Sequence, residues 1–212
     1  RVVFPEGIGP GWVEVSGERI VAVGTGPAPD GAQVQTGWIS PGLVDIHCHG
    51  GGGASFVTED PEVARTALAA HRARGVTSMV ASLVTGTLPD LTAQVLALKG
   101  LVASGELAGI HLEGPWLAPR YKGAHPEPLL RDPARAEVEA LLDAGEGSIR
   151  MVTIAPERPA AIAAIALMAE RGKQRHGKLL NVLALLPIIT PPFVVGLGLI
   201  LLFGRAGLAN QF

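Results

Sequence analysis

The 212-residue sequence holds a single cysteine, Cys48, which excludes an internal disulfide framework and fits a reducing compartment. It has no large charge of either sign: 17 Lys and Arg against 19 Asp and Glu leave a net charge of −2. No basic field calls for nucleic acid, and none is expected as a partner. Arg1 to Pro10 lack the apolar core of a secretory leader. An initiator Met is also missing, so a few residues are expected to precede Arg1. Charge disappears altogether between Lys178 and Arg205. The mean hydropathy of +0.35 is high for a soluble enzyme, and the excess sits in that C-terminal part.

What is present is organised around Pro41-Gly-Leu-Val-Asp-Ile-His-Cys-His-Gly50 and the glycines Gly51, Gly52 and Gly53. Leu43 to Ile46 reads as a short buried strand that runs into two histidines. Alternation along a strand puts His47 and His49 on one face and Cys48 on the other. Two imidazoles on one face at a strand end can grip a metal ion. The glycines let the following backbone bend sharply and come close to it. Asp45 reads either as an outer partner of such a site or as a cap of the turn. Cys48 reads as a small buried residue rather than a ligand.

Ahead of this stretch, residues 1–40 read as a small β-domain with no chemical residue of its own. Val13-Glu-Val15 and Arg19 to Val23 flank Ser16-Gly17-Glu18, a hairpin signal. Beyond it, strands alternate with helices. Thr58-Glu-Asp-Pro61 opens a helix that stops at Gly75, and Val76 to Val84 is a strand. Pro89 to Ser104 is a helix with Leu91, Val95, Leu98 and Val102 at helical spacing. Leu107 to Leu112 is a strand, Asp132 to Ala144 a helix and Ile149 to Ala155 a strand. This alternation predicts βαβ units, a parallel sheet and an α/β fold.

Parallel α/β folds place their sites at the C-terminal ends of strands. There Glu113, in Leu112-Glu-Gly-Pro-Trp116, offers a carboxylate ligand. His111 lies deeper on the same face and reads as a core histidine with one hydrogen bond. His125, in Gly123-Ala-His125, lies in a loop where a substrate could be met. Glu157 ends the fourth strand and reads equally as an ion pair or as a functional group. His71 and His176 read as solvated.

Five segments, taken in order, carry a resemblance. They are Trp12-Val-Glu-Val15, Pro41 to Phe56, Gly109-Ile-His-Leu-Glu-Gly-Pro-Trp-Leu117, Lys122-Gly-Ala-His125 and Thr153-Ile-Ala-Pro-Glu157. Together they resemble the N-acetylglucosamine-6-phosphate deacetylases of the amidohydrolase superfamily. The resemblance implies a metal-dependent (β/α)8 barrel, with its first half over residues 41–160, and a small β-domain built from both chain ends. It implies hydrolysis of an amino-sugar phosphate's acetamide in the cytoplasm, often by a homodimer. His47, His49 and Glu113 match metal ligands, and Ala124 and His125 match the substrate loop. The ion implied is divalent, zinc or iron, in one or two copies, and the histidine pair favours two. Such an ion lowers the pKa of bound water to about 7 and polarises the amide carbonyl.

The same family takes two further histidines, a proton-shuttling catalytic aspartate and phosphate-binding side chains from later strands. No counterpart is found in this sequence, so no catalytic residue is assigned. The expectation is an incomplete barrel with an open sheet edge, inactive or nearly so as a 212-residue chain.

The tail is of another kind. Arg171, Lys173, Arg175 and Lys178 precede an apolar run long enough for a bilayer, which takes about 20 residues, and would set that flank on the cytoplasmic side. Pro187, Pro191 and Pro192 forbid one unbroken helix, leaving Phe193 to Phe203. Residues 165–212 resemble the permease subunit of iron(III)-type ABC importers. This implies an apolar membrane-like segment over 161–212, contact with the inner membrane through 179–203, and a junction near 159–172 between two coding pieces. Three functions therefore stand: the deacetylase, a membrane-transport fragment, and an amidohydrolase for another amide or cyclic substrate. The Gly-Pro-Trp and Gly-Ala-His segments argue against the third.

Overall fold

The computed structural model describes residues 1–173. His176, the permease-like stretch past Lys173 and the membrane contact expected over 179–203 lie outside the described residues. Among the described residues no helix is long and apolar enough to cross a membrane. The chain divides into two compact units, Arg1–Val44 and Asp45–Phe212.

The first unit is made of short antiparallel pairs. Strand β1 (Val2–Phe4) pairs with β2 (Gly7–Gly9), and β3 (Gly11–Ser16) with β4 (Arg19–Thr25). The second pair is the hairpin expected from Ser16-Gly17-Glu18, and Gly17 takes the positive φ of 59° that its turn needs.

The second unit carries the four-stranded sheet, in the order Ile149–Thr153, Gly109–Glu113, Val76–Val84, Leu43–Cys48. Strand β5 (Leu43–Cys48) is followed by a tight hairpin of β6 (Gly50–Gly51) and β7 (Ala54–Ser55), made by the glycine run. Helix α1 (Pro61–Arg72), β8 (Val76–Val84), α2 (Leu88–Ala103), β9 (Gly109–Glu113), α3 (Arg135–Gly145), β10 (Ile149–Thr153) and α4 (Ala161–Lys173) complete it. Strand β9 pairs in parallel with both β8 and β10. The α/β fold and its parallel sheet are thus as the alternation predicts.

Local chemistry sets the helix ends. Asp60, not Thr58, caps α1, because its side chain accepts from the Glu62 N–H and Pro61 can occupy the first turn without a donor. Thr87 caps α2 by accepting from the Asp90 N–H. On α2 the buried stripe is Leu91, Val95, Leu98 and Leu101, with Val102 turned half out. Side chains of that size stabilise the fold by roughly 1.5–3 kcal/mol each when fully buried. The core gathers Phe56, Trp116, Leu83, Ile110 and Leu112, all 1% exposed or less. Ala161 and Ala164 of α4 are buried in the same core, so the strand–helix alternation runs on past residue 160.

One expectation is corrected. Leu43, Val44 and Ile46 are 59%, 67% and 58% exposed rather than buried. The reason is topological: β5 is the last strand in the sheet order, with only β8 beside it among the described residues.

Candidate metal centre

Strand parity builds the site. His47 and His49 project from the end of β5, and β9 delivers Glu113 at its own C-terminal end. Glu113 lies in register with Val84 of β8 and Thr153 of β10, which fixes its height in the sheet. The three polar tips converge. His47 Nε2 lies 3.1 Å from His49 Nε2 and 3.1 Å from Glu113 Oε2, and His49 Nε2 lies 3.0 Å from the same oxygen. Atoms bonded to one ion at about 2.0–2.1 Å stand roughly 3 Å apart, so the triangle has the size of one face of a coordination shell.

Hydrogen bonding decides what those tips offer. His49 Nδ1 sits 3.0 Å from the Ser82 carbonyl oxygen. A carbonyl only accepts, so the proton is on Nδ1 and the neutral ring presents a lone pair at Nε2. That lone pair faces a carboxylate oxygen and another imidazole nitrogen. One proton on His47 Nε2 cannot serve all three edges, whereas a cation among them can. The donor set of two imidazoles and a carboxylate suits zinc or iron.

The electrostatics agree. Burial pushes the Glu113 carboxyl up, but the His47 hydrogen bond and the electrostatic attraction of the His47, His125 and His49 rings when protonated outweigh it and hold the group below its ordinary value. His111, 1% exposed, lies beneath the pair with its ring 5.0 Å from that of His47 and at right angles to it. Burial, then repulsion from His47, pushes its pKa down to about 4, so it is neutral at neutral pH. It makes two hydrogen bonds rather than the one expected, to Ser82 Oγ at 2.9 Å and Thr153 Oγ1 at 2.7 Å.

His125 is carried back to the sheet by its loop. Its Nδ1 lies 2.8 Å from Thr85 Oγ1, and its Nε2 lies 3.8 Å from Glu113 Oε1. Ala124 beside it is exposed. Glu157 is exposed and pairs with no cation among the described residues, so neither of its two expected roles is visible. Asp45 accepts from the His47 N–H at 3.1 Å, the capping alternative.

Sequence reasoning missed two residues and misplaced a third. Ser82 holds His49 through its backbone and His111 through its hydroxyl. Thr85, just past the end of β8, anchors His125, and its signal was a polar residue at a strand end beside two ligand-bearing strands. His71 is not solvated: its Nε2 lies 3.1 Å from the Gly50 oxygen and 3.3 Å from Cys48 Sγ. Cys48 is buried as expected, and burial together with the Asp45 charge pushes its thiol up against the opposing bond to Gly50.

Comparison with known proteins places this geometry. The Amidohydrolase family profile matches residues 38–182. The chain is 35% identical over 132 residues to N-acetylgalactosamine-6-phosphate deacetylase of Escherichia coli O157:H7, covering 60% of this chain and 35% of that protein. It is 32% identical over 138 residues to N-acetylglucosamine-6-phosphate deacetylase of Vibrio furnissii, covering 63% and 35%. Among solved structures it resembles N-acetyl-D-glucosamine-6-phosphate deacetylase of Mycobacterium smegmatis in complex with N-acetyl-D-glucosamine-6-phosphate. There the identity is 49% and the TM-score 0.73, over 76% of this chain and 43% of the other. The chain thus spans about a third of the length of these curated relatives. A profile that matches well over half of the sequence, on a parallel α/β sheet with its polar residues gathered at the strand ends, shows that the chain belongs to the Amidohydrolase family.

Proposed function

We propose that this chain serves the metal-dependent deacetylation of N-acetylglucosamine-6-phosphate to glucosamine-6-phosphate and acetate. The observation that carries the reading is the meeting of three acceptor atoms at 3.0–3.1 Å, with the proton of His49 already committed to Ser82. His47, His49 and Glu113 would hold a divalent ion, zinc or iron. When bound, such an ion supplies Lewis acidity to an amide carbonyl and makes bound water a stronger acid. The chain's own groups do the rest. Ser82 keeps the His49 lone pair aimed at the ion. Neutral His111 keeps a positive charge out of the floor beneath it. His125 Nε2, anchored through Thr85, would meet the acetamide oxygen, and Ala124 would line the sugar's path. The relatives named above support an amino-sugar phosphate as substrate, and the E. coli relative makes N-acetylgalactosamine-6-phosphate the competitor to compare. Such a substrate is charged and crosses membranes poorly, which suits the cytoplasm.

The test has two readouts. By calorimetry the His47→Ala/His49→Ala variant should lose one equivalent of bound zinc, its affinity there falling at least about 100-fold, since loss of a mere outer partner already costs 10–100-fold. Equal uptake by both proteins would remove the site. Acetate release from N-acetylglucosamine-6-phosphate should depend on metal and on both histidines. Release that ignores metal and both histidines would overturn the assignment.

A further inference from the structure

The same strand end bears a second cluster that the proposed reaction does not use. On the other face from His47 and His49, the Cys48 thiol points at helix α1. It lies 3.3 Å from His71 Nε2 and 3.4 Å from the Gly50 carbonyl oxygen, while His71 Nε2 lies 3.1 Å from that oxygen. Asp45 folds its carboxylate back along β5, where it accepts from the His47 N–H. One oxygen of Asp45, the Cys48 sulfur and one His71 nitrogen all fall within 4.8 Å of one another. A thiol, an imidazole and a carboxylate therefore lie close together, with the Gly50 carbonyl beside the first two. The glycine run is shaped to this arrangement: a Cβ at Gly51 would strike the His71 ring.

We propose that Asp45, Cys48 and His71, with the Gly50 carbonyl, form a second cation site for a thiophilic divalent ion of the zinc class, separate from the His47–His49–Glu113 centre. The separations favour it. Ligand atoms around a tetrahedral zinc, at about 2.3 Å for sulfur and 2.0–2.2 Å for nitrogen and oxygen, stand roughly 3.3–3.6 Å apart. The separations among Cys48 Sγ, His71 Nε2 and the Gly50 oxygen differ from that by a few tenths of an ångström, and an Asp45 oxygen lies within 4.8 Å of the sulfur and the nitrogen. Charge also closes. The S–H proton leaves to bulk water, the proton that His71 Nε2 gives to the Gly50 carbonyl in the metal-free cluster passes through solvent to Nδ1, and sulfur–metal and nitrogen–metal bonds form. One thiolate and one carboxylate then neutralise a dication, so no net charge is buried. Sulfur in the donor set separates this site chemically from its nitrogen–oxygen neighbour.

Cadmium titration tests it, because Cys48 is the sole cysteine and any sulfur-to-cadmium charge-transfer absorption reports this residue alone. The full chain is expected to develop that ultraviolet band and saturate at a single equivalent bound there. The His47→Ala/His49→Ala variant is expected to keep it, which distinguishes failure here from failure of the deacetylase reading. His71→Gln and Asp45→Asn should each weaken cadmium binding at least tenfold. Asp45→Asn still offers an oxygen to the His47 N–H, so it remains informative if His71→Gln does not fold. Absence of the band at saturating cadmium would overturn the proposal. So would an affinity unchanged in the folded variants, which would mean a bare thiol. Loss of the band with the His47/His49 pair would also overturn it, since a single shared site would then explain both.

Discussion

His111 should make the stability of this protein depend on pH in a defined window. Its ring is 1% exposed, and burial followed by repulsion from His47 lowers its pKa from 6.5 to about 4. Below 6.5 the unfolded chain takes up a proton that the folded chain refuses, so unfolding gains proton uptake and stability falls. The contribution is complete above 6.5, is lost as pH drops toward 4, and changes little beyond. A depression of this size corresponds to a ceiling of about 3 kcal/mol, and to roughly 2 kcal/mol once solvent screening near the open strand ends is allowed for. Urea denaturation of the chelator-treated chain at about pH 7.5 and about pH 4.5 reads it. A His111→Gln variant, which cannot titrate but keeps an amide for Ser82 and Thr153, supplies the reference. The wild type should lose roughly 2 kcal/mol more than the variant between the two conditions. Equal losses would mean that His111 binds its proton as readily in the folded chain as in the unfolded one, and the argument that it holds charge away from the histidine pair would fail.

Two further perturbations follow from the strand ends. Gly114 has φ +82°, and a Cβ there would collide with Thr85 Oγ1, so Gly114→Ala should cost about 2–4 kcal/mol in a denaturant titration. Unchanged stability would show that the turn after Glu113 has room to spare. Thr85→Val should remove the hydroxyl bond to His125 Nδ1, leaving only the backbone N–H of residue 85 at 3.4 Å, at a cost of about 1–2 kcal/mol and with a shift of the Nδ1 signal in nitrogen NMR, while Thr85→Ser should restore both. Identical spectra for all three proteins would detach Thr85 from His125.

The meeting of His47, His49 and Glu113 was legible because two rules suffice for it. Parity along β5 puts His47 and His49 together whatever else the chain does, and Glu113 must end β9 because Gly114-Pro115 turns the backbone there. The sheet could likewise be read from the alternation of periods, with element ends off by a few residues, as at β9, which starts at Gly109 rather than Leu107. The exposure of Leu43, Val44 and Ile46 was not legible, since an apolar strand reads the same whether or not a neighbour covers it. Nor was the Ser82 carbonyl that orients His49, because every residue owns a carbonyl and only the register shows which one is used.

His71 is a different matter, because its sequence did carry the signal. Ala64, Ala67 and Leu68 are the buried face of α1, and His71 stands at the next position of the same stripe, three residues beyond Leu68. A polar ring on that stripe faces the sheet, and a buried nitrogen must find a partner. The partners available at that depth are the carbonyl of Gly50, freed by the bend of the glycine run, and the thiol that strand parity turns away from His47 and His49. Helical spacing turns His71 toward the sheet and strand alternation turns Cys48 away from His47 and His49, and the packing of α1 beside the glycine run then brings the two within 3.3 Å.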